Sequence, residues 1–423
     1  MSLFDRNPAL AALYARHGAD LAGQEGLPPA DIQNALENGV MVLLGNPAHT
    51  GLRPLLVGQP SRVKVNANIG TSPFQNHVPC EMRKLEAALA AGADTVMDLS
   101  IAGDLTAIRA AMLAACPAPL GTVPLYAVAQ TYIDRGDDPA VMDPEILVEE
   151  IERQAEQGVD FMTVHCGLTR RGAEWAAHGA RTLGIVSRGG SILARWMLRN
   201  DKENPLLTDF DRLLGIARAH NVTLSLGDGL RPGAGADAGD AAQWEEVITL
   251  GRLARRALEE GVQCMIEGPG HVCMAEVEAQ ITGIKKLTHG APLYVLGPLV
   301  TDIAPGWDHI AGAIGGALAV RAGADFLCYL TPAEHLTLPS EADVRAGVMA
   351  SRVAAQAGEN ALGRPAARAA EAAMGRARKS LDWDAMRRVA LDPAEMDERR
   401  KPHRHEDACA MCGNFCAVKM LRD

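Results

Sequence analysis

Three cysteines crowd the C-terminal tail in the order Cys409-Ala-Met-Cys412-Gly-Asn-Phe-Cys416. Three thiolates within eight residues of chain can hold three corners of an iron–sulfur cube, leaving one iron open to a bound molecule. They can equally hold most of a zinc tetrahedron, with His403 or His405 as fourth ligand. Spacing alone leaves both readings open, beside that of three unrelated thiols. The other six cysteines, at 80, 116, 166, 264, 273 and 328, are scattered, and the odd total of nine argues against a disulfide framework.

Two histidines invite a second metal reading: His271 in Glu-Gly-Pro-Gly-His and His335 in Pro-Ala-Glu-His-Leu. Imidazoles from neighbouring loops can bind zinc or iron(II) while leaving positions open for a ligand, although a loop histidine is as readily a surface or hydrogen-bonding residue. Ser187-Arg188-Gly189-Gly190-Ser191 could cradle a phosphate with backbone N–H groups, a hydroxyl and a guanidinium. An ordinary N-cap serine explains the same turn. In Asp228-Gly229-Leu230-Arg231 the carboxylate could accept from ribose hydroxyls, or simply pair with the arginine.

Such residues need elements to position them. Four times an amphipathic helix ends in Gly, a small residue and Asp or Gln, then enters an apolar run: from Gly92, Gly158, Gly261 and Gly323. The glycine reads as a helix C′ cap and the run as a buried parallel strand. Further strands are expected at 63–70, 121–126, 184–188, 222–229 and 292–298, separated by helices over 81–91, 105–115, 144–157, 192–198, 210–220, 244–260, 275–287 and 309–322. Eight or nine alternating units predict a (β/α)8 TIM barrel. An open doubly wound sheet is the alternative, weakened because no GxGxxG follows the first strand. At the C-terminal strand ends stand Asn66, Asn68, Asp98, Tyr126, His165, Ser187, Arg188, Asp228, Arg231, Glu267, His271, Tyr294, Tyr329 and His335, a polar set that a barrel would gather at its mouth.

The expected organisation is a small N-terminal segment (1–60), the barrel (61–340), a C-terminal helical region (341–400) and a Cys-bearing tail (401–423). With 41 Lys+Arg against 52 Asp+Glu the formal charge is −11, which disfavours a nucleic-acid binder. No apolar run reaches the roughly 18 residues of a membrane span, and Asp5, Arg6 and Arg16 interrupt any signal-peptide core, so a cytoplasmic protein is expected.

Taken in order, VNANIGTS, DTVMDLS, GTVPLY, IVSRGGS, SLGDGLRPG, MIEGPGHV, LGPLVTDIAPGWDHI, LCYLTPAEHL and CAMCGNFC resemble the phosphomethylpyrimidine synthase family of radical S-adenosylmethionine enzymes, from about residue 60 to the C-terminus. Its paralogue, 5-hydroxybenzimidazole synthase of cobamide synthesis, shares these motifs and the substrate, 5-aminoimidazole ribotide. The resemblance implies a barrel whose mouth binds that ribotide through Asn68, Met97, Tyr126, His165, Ser187, Arg188, Gly189, Asp228, Gly229, Leu230, Arg231, Glu267 and Tyr294, with Ser187 to Gly189 on the phosphate. It implies a zinc or similar divalent ion on His271 and His335, and a [4Fe–4S] cluster on Cys409, Cys412 and Cys416 beside S-adenosylmethionine. It also implies a homodimer, an electron-donor protein, and a lyase reaction of thiamine synthesis, with Glu267 managing a proton or holding the imidazole amine. Two departures stand out: the cysteine spacing is CxxCxxxC where CxxCxxxxC is commonest, and the N-terminal segment is that of the short form. From other classes, a zinc-dependent barrel hydrolase would activate water on His271, His335 and Glu267, and a non-catalytic barrel would carry a zinc-knuckle tail.

Overall fold

The computed structural model describes residues 2–420, which form two compact units, one running to Ala355 and the other from Gln356. In the first unit an antiparallel pair, β1 (Val42–Leu44) and β2 (Leu55–Val57), precedes eight parallel strands: β3 (Lys64–Ile69), β4 (Thr95–Asp98), β5 (Leu120–Thr122), β6 (Phe161–Val164), β7 (Thr223–Leu226), β8 (Cys264–Glu267), β9 (Leu293–Leu296) and β10 (Phe326–Cys328). Each of the eight pairs with its neighbours in chain order, and β10 pairs with β3, closing the expected (β/α)8 barrel. The short antiparallel pair β1–β2 lies in the N-terminal segment.

The glycines behave as the repeat predicts. Gly92, Gly158, Gly261 and Gly323 all take positive φ, between 80° and 120°, at helix ends. The polar residue two positions later has a role invisible to periodicity, because it sits at the base of the barrel and satisfies backbone groups of neighbouring strands and of the N-terminal segment. Asp94 accepts from the N–H of Val65 (2.9 Å), Asp160 from Leu120 (2.7 Å) and Asn46 (2.8 Å), and Asp325 from Leu293 (2.8 Å) and Gln59 (3.0 Å). Gln263, the one amide of the set, both accepts from and donates to the backbone of Leu43. Three of these four copies of one sequence position, Asp160, Gln263 and Asp325, thus join the barrel base to the segment that precedes it.

Two expected strands are corrected. Residues 184–188 form no strand, because β6 and β7 already pair directly, Phe161 with Thr223, and leave no place between them. Helix Arg188–Asn200 starts there instead, four residues ahead of its expected start. The strand expected over 121–126 stops at Thr122, since Pro124 opens helix Pro124–Asp134 at its first turn, placing Tyr126 on a helix. That helix and Arg170–His178 were not anticipated.

Inside the barrel the side chains interlock. Tyr294 stacks on Phe326 with centroids 4.3 Å apart, and Phe161 meets Phe326 edge-on at 6.4 Å. Gly121 makes room, since a Cβ there would stand 2.3 Å from the Phe161 ring. The lower barrel is therefore a packed core. In the second unit, helices Pro365–Ser380, Trp383–Val389 and Pro393–Arg400 precede the cysteines, and the Trp383 indole donates to the Asp407 carbonyl at 2.9 Å. No helix among the described residues is long and apolar enough to cross a membrane.

His49 gives the base a measurable signature. Its Nδ1 meets Asp160 at 2.7 Å and its Nε2 meets the carbonyls of Leu113 and Cys116, so both nitrogens face acceptors and the ring is held as a cation. Burial opposes that charge, but Asp160 prevails and raises the pKa above 6.5. A raised histidine pKa contributes stability that is complete below 6.5 and fades as pH climbs through the folded value. His49→Asn should cost about 3–5 kcal/mol at pH near 6, because it strands Asp160. Urea denaturation should show that gap narrowing toward pH 9.

Candidate active site

Above the packed layer the strand ends open into a cavity. Its walls include Asn68, Met97, Tyr126, His165, Asp228, Arg231, Glu267 and Tyr294, so the structure brings together eight of the residues anticipated for the ribotide. Arg188 is exposed beside Tyr126, and the others, Ser187, Gly189, Gly229 and Leu230, stand behind this wall. Ser187 is fully buried, and its Oγ accepts from the N–H of Gly190 at 3.1 Å, so the N-cap reading holds for this hydroxyl. Gly189 packs against the His165 ring. The Leu230 side chain is fully buried, while its N–H donates to the Glu246 carboxylate at 2.7 Å. Gly229 lies close to both Glu246 and Gly190.

The electrostatics follow from one cation among several acids. Arg231 is the only lysine or arginine lining the cavity, and its Nη1 bonds Asp228 Oδ1 at 2.9 Å. Glu267 lies deeper, with Oε1 accepting from Thr163 (2.7 Å) and Ser225 (2.6 Å). Burial and the neighbouring charge of Asp228 push its carboxyl up to about 7. Burial also raises Asp228, against the pull of Arg231. His165 is driven down to about 3 by burial, with Arg231 adding to the effect, and is neutral at any working pH. Burial raises the Tyr126 phenol, beside which Arg188 lies with its guanidinium 4.8 Å from the ring centroid.

A polar chain lines the opposite wall. Thr95 donates to Asn66 Oδ1 and Asn66 donates to both Asn68 Oδ1 and the Tyr294 hydroxyl, each at 2.7 Å; Tyr294 in turn lies 3.7 Å from Met97 Sδ. Asn68 reaches Cys328 Sγ at 3.1 Å, a thiol that burial pushes up to about 12. Met97 is thereby tied in by its sulfur, a role spacing cannot reveal.

His271 and His335 stand close together, ring centroids 5.3 Å apart and planes inclined by 53°. Each gives its Nδ1 to a carboxylate, His271 to Asp302 at 2.8 Å and His335 to Asp308 at 3.1 Å. Both Nε2 atoms are thereby left for a ligand, the tautomer pattern that carboxylates impose on metal-binding histidines. His335 reaches this position with a φ of 60°. Two imidazoles with supporting carboxylates fit a divalent ion with open coordination positions.

In the tail, Cys409 and Cys412 are exposed and Cys416 is buried. Hydrogen bonds from the Cys412 backbone and thiol hold Cys409 below the ordinary thiol value. Thiolate donors of this kind suit an iron–sulfur cluster or zinc. Among the described residues no three His, Cys, Asp or Glu side chains stand in the arrangement of a metal centre.

Sequence reasoning missed Thr163, Ser225, Asp302, Asp308, Glu246 and Cys328. Thr163 and Ser225 carried a usable signal: Thr163 is the lone hydroxyl of an otherwise apolar strand and Ser225 lies between two leucines, each at a position whose alternation points it inward. Asp302 sits in a loop and Asp308 opens helix Asp308–Ala322, and neither position carried a signal for its histidine.

The sequence profile described as the Radical SAM ThiC family matches residues 8–423. The chain is 50% identical over 403 residues to the phosphomethylpyrimidine synthase of Moorella thermoacetica, covering 95% of this chain and 93% of that one. It is 48% identical over 409 residues to that of Methanopyrus kandleri (95% of each chain) and 49% identical over 420 residues to that of Geobacter metallireducens (97% and 96%).

Glu267 yields a test needing no ligand. A carboxyl whose folded value rises from 4.5 to about 7 costs stability once ionised; the cost is absent below 4.5 and complete above 7. Glu267→Gln removes that cost and can keep the bonds from Thr163 and Ser225. Its thermal midpoint relative to wild type should be higher at pH 8 than at pH 5, as read by calorimetry.

Proposed function

Because the chain belongs to the radical SAM ThiC family, we propose that it is a phosphomethylpyrimidine synthase, converting 5-aminoimidazole ribotide to 4-amino-5-hydroxymethyl-2-methylpyrimidine phosphate with formate and carbon monoxide. The observation that carries this reading is the mouth itself: a pair of carboxylates, Asp228 and Glu267, served by the Arg231 guanidinium in the cavity at the strand ends. A ribotide offers hydroxyls, a phosphate and a basic amine, and each has a counterpart there. Asp228, fixed by Arg231, is placed to accept from ribose hydroxyls. Arg188 and the N-terminus of helix Arg188–Asn200 offer charge and N–H groups to the phosphate. The amide of Asn68 and the Tyr126 ring bound the imidazole.

Glu267 is suited to proton management. Both hydroxyl bonds fall on Oε1, which leaves Oε2 to carry the proton, and a value of about 7 lets that proton be held or given near neutral pH. Cys409, Cys412 and Cys416 would hold the [4Fe–4S] cluster and His271 and His335 a zinc or other divalent ion, with S-adenosylmethionine as the further cofactor. When bound, the cluster and S-adenosylmethionine supply a carbon-centred radical able to abstract hydrogen from the ribose. The chain's own share is to orient the ribotide, exclude water and hold protons at Glu267 Oε2. The same reading takes the enzyme as a homodimer supplied by an electron-donor protein.

The test is anaerobic. With iron and sulfide restored, then dithionite, S-adenosylmethionine and aminoimidazole ribotide added, mass spectrometry should find the phosphorylated aminopyrimidine together with 5′-deoxyadenosine. 5-Hydroxybenzimidazole in its place would assign the chain to cobamide synthesis instead. Glu267→Gln should lower pyrimidine formation by about 10²-fold or more while S-adenosylmethionine still binds.

A further inference from the structure

Behind the cavity wall, Ser187 and His165 form a pair whose hydrogen-bond count admits one favourable solution. Ser187 Oγ accepts from the Gly190 N–H at 3.1 Å and lies 3.2 Å from His165 Nε2. His165 is 2% exposed, yet it lines the cavity, and its Nδ1 has no hydrogen-bond partner among the described residues. A neutral imidazole carries one N–H. Were it on Nε2, the serine hydrogen would lose its acceptor and Nδ1 would be left as a bare buried acceptor. With the hydrogen on Nδ1, the serine hydroxyl donates to Nε2 and one donor alone awaits a partner. Leaving two groups unsatisfied costs more than leaving one. Gly189 permits the arrangement: a Cβ there would fall 2.2 Å from His165 Cε1 and 2.5 Å from Nδ1.

We propose that Ser187 is a positioning residue: its hydroxyl donates to Nε2 of His165 and fixes the Nδ1–H tautomer, which presents that N–H to a phosphate or hydroxyl oxygen of the bound ribotide. The identity of the ligand rests on the function proposed above; the tautomer does not. The serine hydroxyl therefore acts on the substrate through the imidazole, and direct anion contact from this turn falls to backbone N–H groups and Arg188.

Histidine-selective ¹⁵N labelling tests it on the ligand-free protein. In wild type, His165 Nδ1 should resonate as a protonated, pyrrole-type nitrogen and Nε2 as an unprotonated, pyridine-type one. Ser187→Gly removes the donor while keeping a tolerated N-cap residue, and should shift His165 to a mixture of tautomers. Ser187→Thr keeps the hydroxyl and should restore the wild-type spectrum. By calorimetry, Ser187→Gly should bind aminoimidazole ribotide about tenfold more weakly, as for the loss of one oriented hydrogen bond, and Ser187→Thr near normally. A wild-type His165 protonated on Nε2, or a Ser187→Gly spectrum unchanged from wild type, would overturn the proposal. Wild-type protein with the expected tautomer but no affinity for the ribotide would instead count against the proposed substrate.

Discussion

A single guanidinium has to serve a buried mouth that holds more acid than it can neutralise. Arg231 commits its Nη1 to Asp228, and the remaining properties of the cavity follow from that commitment. Glu267, left with two hydroxyl donors and no cation of its own, moves up to about 7. His165, buried near the same guanidinium, cannot take up a proton and becomes a neutral donor. In a medium where desolvation dominates, a second cation would have given two ionised carboxylates and no group able to pass a proton near neutrality.

The barrel makes this shortage possible. Closing eight parallel strands sends every strand's C-terminal end to the same face, and the aromatic layer of Phe161, Tyr294 and Phe326 seals the floor beneath. Thr163, Ser225 and Glu267 come from β6, β7 and β8, which are successive neighbours in the sheet, so the carboxyl's hydrogen bonds are set by strand register and not by loop conformation. Groups held by register lose little on binding, and that preorganisation is what electrostatic catalysis requires.

Much of this was legible before any coordinates, and for a specific reason. A parallel strand buried on both faces reads as an apolar run, and a helix ending in glycine marks where it begins, so the glycine repeats located four strands and their chain order. The legible site residues are those that end such runs: His165, Asp228, Glu267 and, two positions into β9, Tyr294. Punctuation failed where an apolar run was something else. Residues 184–188 read like a strand although two already paired strands left no room for one, and pairing is a long-range fact. Partners such as Asp302 and Asp308 are chosen by tertiary geometry, and no local pattern marks an aspartate in a loop or at a helix start as the support of a histidine two or three dozen residues away.

The two ends of the barrel treat buried polarity in opposite ways. At the base, Asp160 and Asp325 receive several donors each, and Lys64 pairs with Glu25 at 2.9 Å, so charge there is matched and the arrangement reads as stability. At the mouth, matching stops short. Of the five buried side-chain atoms without a partner among the described residues, those on His165, Glu245, Glu246 and His309 follow strand ends, and only Thr223 Oγ1 lies at a strand start. An orphaned buried polar atom costs about 1–3 kcal/mol, a cost that a fold under selection for stability alone would remove. Its concentration at one end is the mark of groups kept available for a ligand, or for holding in place the loops that meet one. Glu246 shows the second case: with Oε2 fixed to the Leu230 N–H and burial keeping its carboxyl well above the usual range, it braces the 228–231 loop that aims Asp228 and Arg231 into the cavity. The mouth therefore gives up stability in two layers, the outer to meet a substrate and the inner to fix the geometry of that meeting.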